Sequence, residues 1–93
     1  MKDWRIGQTY GFVPSGDASE LIIQLIRKVP FREAAAWFES TYDRRVQGEG
    51  NAYKAVILEG GFDADIEHKP GESYYVFSSD FSSDPADVRV LEQ

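Results

Sequence analysis

Asp63, Asp65 and Glu67 occupy alternate positions of "GGFDADIEHKPGE", residues 60–72, directly ahead of His68, the only histidine in the chain. Carboxylates beside an imidazole are raw material for metal ligation, for general acid–base catalysis or for an acidic docking face. The spacing argues against metal. An EF-hand loop starting at Asp63 needs glycine at its sixth position and glutamate at its twelfth, and these hold His68 and Tyr74. The Asp-x-Asp pair recurs in magnesium- and manganese-dependent transferases, but no glycine-rich phosphate loop accompanies it, "GEGN" at 48–51 being too short. On a strand the three carboxylates stand about 6.6 to 6.8 Å apart along one face, wide for joint ligation of a small ion. No metal or other cofactor is expected.

His68 titrates near neutrality without help, which makes it the candidate base of a small hydrolase or transferase. No serine sits in a G-x-S-x-G elbow. With no cysteine there is no thiol nucleophile, no thiolate zinc site and no disulfide. The expectation is a partly buried histidine satisfied by a hydroxyl or backbone group, in a protein that is not an enzyme. Arg44 and Arg45 are read as cations complementing a helix C-terminus rather than as phosphate contacts. Trp37 lies beside the apolar line of its helix and Trp4 in an untethered N-terminal segment, each as well suited to a contact surface as to the core.

The elements that must position these residues follow from hydrophobic period and turn chemistry. "QTYGFVP" reads as a short N-terminal edge strand, weakened by Gly11 and ended by Pro14. Residues 17–29 read as a helix, since Leu21, Ile22, Leu25, Ile26 and Val29 fit one stripe and Asp17 with Glu20 has capping-box spacing. A buried strand over 21–29 is the rival, because Ile22, Ile23 and Ile26 are β-branched. A second helix follows Pro30 over 31–44, with Phe31, Ala35, Phe38 and Tyr42 inward.

From Tyr53 the period becomes two, and an antiparallel meander is expected over 53–59, 62–68 and 73–79. Its turns are Gly60-Gly61 and a four-residue loop over 69–72. That register opposes Ile57 to Ala64, Ala55 to Ile66 and Ile66 to Tyr75, and sets His68 on the face away from the carboxylates. The other face then carries Asp63, Asp65 and Glu67 edged by Val56, Tyr74 and Val76. The tail repeats "FSSDFSSD", a strand end running into a turn. Beyond it, Asp84-Pro85 fits a helical turn and Val88 with Val90 fits a strand, and both readings stand.

The expected fold is therefore α+β, two consecutive helices packed on a meander with flanking short strands, in one domain over 1–93. The net charge of −6 is unevenly placed. Residues 1–58 carry eight basic and seven acidic groups; residues 59–93 carry two basic and nine acidic. Such an acidic third disfavours nucleic acid, which recruits cations, and favours a partner protein with a basic surface. Neither a signal-peptide core nor an apolar run of ~20 residues is present, and the lack of cysteine points to the cytoplasm.

The reading that results is a small acidic inhibitor or neutraliser, similar in type to immunity proteins of toxic nucleases and to phage proteins that block host defence complexes. Its docking residues are Asp63, Asp65, Glu67, Val56, Tyr74 and Val76. The alternatives are a structural or assembly subunit, of a virion or a multiprotein complex, and the small enzyme built on His68.

Overall fold

Leu21, Ile23 and Leu25 are buried while Ile22 and Gln24 between them are half-buried, a period of two rather than 3.6. The segment expected as the first helix is thus a strand, β2 (Leu21–Val29), and the rival reading of residues 21–29 is the correct one. The computed structural model, which describes residues 4–14, 17–48, 50–78 and 88–91, supplies the reason. Three β-branched isoleucines favour a pleated surface, and β2 is paired on both sides, antiparallel to β1 (Thr9–Phe12) and to β3 (Ala52–Glu59). The proposed cap is occupied elsewhere. Glu20 accepts two 2.7 Å hydrogen bonds from Arg89.

The fold is α+β. Its five-stranded sheet runs in the order β6-β3-β2-β1-β7, with β6 (Ser73–Phe77) and β7 (Val88–Leu91) at the ends. All four neighbouring pairs are antiparallel. β1, expected at an edge, is interior because β7 pairs along its far side. The alternation of Val88 and Val90 therefore marks a strand. The "FSSDFSSD" repeat beyond Ser78, and Asp84-Pro85, lie outside the described residues.

The one helix among the described residues is α1 (Phe31–Tyr42). Pro30 stands just before it in an extended conformation, and the helix stops at Tyr42 rather than 44 because Asp43 takes a left-handed φ of 54°. The Asp43 N–H then donates to the Glu39 carbonyl, a closure usually made by glycine. Arg44 and Arg45 consequently lie beyond the last turn. Tyr74 and Val76 point to one side of β6, Tyr75 and Phe77 to the other. α1 straddles this edge: Trp37 packs against Tyr74 with ring centroids 4.9 Å apart, and Phe31 packs against Phe77 at 5.1 Å.

The main core lies on the sheet face carrying Tyr10, Ile23, Leu25, Ile57 and Val76, all essentially inaccessible. Trp4 joins it. Its indole N–H donates to the Phe77 carbonyl at 2.9 Å and its ring meets Tyr10 edge-on at 4.8 Å, so the N-terminal segment is tethered, contrary to expectation. Tryptophan is large enough to close the sheet's open end and carries a donor that satisfies a carbonyl of strand β6.

The expected meander does not form. β3 pairs directly with β6, Tyr53 opposite Val76 and Ala55 opposite Tyr74, and residues 60–72 leave the sheet between them. They fold on themselves as a two-stranded hairpin, β4 (Gly61–Asp63) and β5 (Ile66–His68), turning at Ala64-Asp65. Neither Gly60 nor Gly61 has positive φ, so they are not the hairpin turn. Both are glycine for want of room: a Cβ at Gly60 would run into the His68 carbonyl, and one at Gly61 into the Ser19 hydroxyl.

Lys69-Pro-Gly-Glu72 is the expected turn, with Gly71 at φ 88° after Pro70 and the Glu72 N–H donating to the Lys69 carbonyl at 3.2 Å. It delivers the chain back to β3 rather than to a third meander strand. Among the described residues no helix is long and apolar enough to cross a membrane.

Candidate cation-binding cleft

Strand alternation divides the small hairpin into an inward and an outward set. Phe62 and Glu67, paired across it, are exposed, whereas Asp63 and His68 are buried, at 7% and 5% exposure. Asp63 and His68 thus share the inner side, against the expected separation of the histidine from all three carboxylates. The separation failed because the meander register placed Asp63 on a sheet face that does not exist.

A short strap holds the hairpin down. Ala18 forms an antiparallel bridge with Asp63, the Ser19 N–H donates to the Phe62 carbonyl at 2.8 Å, and the Phe62 N–H donates to the Ser19 hydroxyl at 2.9 Å. Asp17, next along the strap, arrives at the same rim as Asp63 and Asp65. Between this rim, the second half of α1 and the β6 edge of the sheet, where Tyr74 comes from the core face and Tyr75 and Phe77 from the other, opens a cleft of about 500 Å³, a size typical of small-ligand sites.

The walls of the cleft are aromatic. Trp37 and Tyr42 come from α1, Phe12 from β1 and Tyr74 from β6. Trp37 stands edge-on to Tyr42 at 6.0 Å and to Tyr74 at 4.9 Å, with interplanar angles of 82° and 70°. The rings therefore form a corner. Arg44 also lines the cleft, so three aspartates and one arginine border the opening.

His68 lies behind this wall and does not line the cleft. Its Nε2 is 3.1 Å from the Tyr42 hydroxyl, and its ring meets Tyr74 edge-on at 5.2 Å. Burial lowers its pKa below the ordinary value, while the charges of Asp63 and Glu72 pull the other way. The neutral imidazole braces two of the aromatic walls.

The six residues expected to share one acidic face are distributed. Asp63, Asp65 and Tyr74 come together at the cleft. Glu67 is exposed on the hairpin's outer side. Val76 is fully buried in the core, and Val56, half-buried, points to the opposite face of the sheet, beside Gln24 and Ser73. β3 lies between β2 and β6 and has no edge to offer the hairpin, which is why the acid row bordered by both valines is not assembled.

Sequence reasoning missed Asp17, Phe12 and Tyr42 as site residues. Trp37 carried a signal, a large aromatic one position off the apolar line of its helix; Asp17 carried none, since its approach depends on the strap. Among the described residues no group of three or more His, Cys, Asp or Glu side chains could hold a metal ion. No protein-family model matches the chain, and neither does any curated protein or solved structure.

Proposed function

We propose that the chain is a non-enzymatic binding protein that docks on a basic surface of another protein through the acid-bearing hairpin and the cleft beside it, and neutralises that partner by occupying the surface. The observation that carries this reading is the convergence of Asp17, Asp63 and Asp65 on the rim of an aromatic cleft, with exposed Phe62, Asp65 and Glu67 on the adjoining hairpin. Aromatic side chains ringed by charge supply both the buried contact area and the steering that protein interfaces use. His68 is held by the Tyr42 hydroxyl and the edge of Tyr74 and serves packing. A chain without cysteine suits a reducing compartment, and the proposal extends to the cytoplasm.

The test is capture on immobilised protein from a lysate, followed by identification, with wild type and the Asp65→Asn/Glu67→Gln double variant compared at rising salt. Captured proteins are expected to be basic, and to be lost both in the variant and at high salt. An identical set retained by the double variant would overturn the reading.

A further inference from the structure

We propose that the cleft is a receptor for one arginine side chain presented by the basic partner; this rests on the protein-binding reading above and names the group the cleft accepts. Three features of the opening converge on a guanidinium. Trp37, Tyr42 and Tyr74 meet at steep angles, so a planar cation entering the corner stacks on one ring face while lying beside the others, an arrangement attractive to the ring quadrupole. Asp63 and Asp65 line the same opening, and the exposed Asp65 carboxylate can accept in the plane of a guanidinium whose face remains on the ring. An ammonium is a compact point charge with no flat face, so it matches ring stacking combined with in-plane donation less well.

The fourth charge makes the assignment sharper. Arg44 borders the opening and repels an incoming cation, so its removal should tighten binding, an effect that a role in folding alone does not produce. An acidic ligand would meet three carboxylates for one arginine and is disfavoured.

The experiment is an NMR titration of the full chain with N-acetyl-arginine N-methylamide, and with its lysine and citrulline counterparts, following the two indole N–H resonances assigned by Trp37→Phe. Saturable movement of the Trp37 resonance is expected with the arginine amide, while the Trp4 resonance, fixed on the Phe77 carbonyl, stays in place. The lysine amide should bind about three- to ten-fold more weakly, and neutral citrulline should not saturate. Asp65 lies exposed in the hairpin turn, so Asp65→Asn keeps the fold and should weaken arginine about three- to ten-fold, while Arg44→Gln should strengthen it.

No saturable shift at Trp37, an equal response to citrulline or lysine, or indifference to Asp65→Asn would overturn the guanidinium assignment. If the amide fails to bind while partner capture still depends on Asp65 and Glu67, the inference falls and the protein-binding reading stands. Arginine binding with capture indifferent to those residues would do the reverse.

Discussion

The Tyr42 hydroxyl and the His68 Nε2 lie 3.1 Å apart, joining the last residue of the helix to the last residue of the small hairpin. Both elements flank the cleft, so this polar contact links its walls, together with the packing of the His68 ring against Trp37 and Tyr74. The imidazole that makes the contact is buried.

The burial of His68 makes stability depend on pH with a defined sign. Burial lowers the His68 pKa in the folded state, so at mildly acidic pH the unfolded chain binds a proton that the folded chain resists. The contribution is fully present above the unfolded value of about 6.5 and is lost as pH falls through the lower folded value. Urea denaturation at a series of pH values between about 7.5 and 5 should show stability declining toward acid. His68→Phe, which keeps a ring against Tyr74, should flatten that part of the profile.

Trp4 anchors the N-terminal segment to strand β6 and to Tyr10. Trp4→Phe removes the donor to the Phe77 carbonyl and part of the ring that fills the space beside Tyr10. The expected loss is about 2 kcal/mol, a lost buried hydrogen bond plus a small cavity, measured by the shift of the denaturation midpoint at unchanged slope. A loss within a few tenths of a kcal/mol would show that the N-terminal segment is not anchored there.

At the hairpin turn, Ala64 holds a left-handed φ of 54°, a conformation that costs a residue with a Cβ about 1 kcal/mol. Ala64→Asn should relieve that strain and raise stability by about 0.5 kcal/mol, since asparagine visits this region readily. Thermal unfolding is the measurement, and a lowered midpoint would contradict the turn geometry.

Gly60 makes the opposite case. Its φ is ordinary, yet Gly60→Ala would set a methyl group against the His68 carbonyl and should cost about 1–3 kcal/mol by overpacking. Gly71→Ala, at φ 88° with open space around the position, should cost about 1 kcal/mol from backbone strain alone. Comparing the two variants by denaturation separates a glycine required for room from one required for its dihedral angle.

How much of this was legible in the sequence depends on whether the signal was local. α1 was, because Phe31, Ala35 and Phe38 repeat at its period and Pro30 marks its start. The Lys69–Glu72 turn was too, since proline followed by glycine has few conformations. Leu21–Val29 was not: its spacing satisfies a helical stripe and an alternating strand alike, and only the flanking strands β1 and β3 decide between them.

The hairpin was misread for a related reason. Gly60-Gly61 has the letters of a turn, but the pairing of β3 with β6 is a long-range choice that no dipeptide encodes. The cleft inherits that limit, because Asp17, Trp37 and Asp65 meet only after the excursion folds over the core face.

That excursion leaves and rejoins the sheet between two strands already clamped to each other, Val56 opposite Ser73. The pairing of β3 with β6 holds the ends of this loop together, and further length inserted there would cost only about 0.6 kcal/mol per doubling. Along the hairpin, every second residue is committed to the interior and the others answer only to what lies outside. The outward letters, Phe62 and Glu67 with the turn at Asp65, can be rewritten while the inward ones keep their seats against the five-stranded frame.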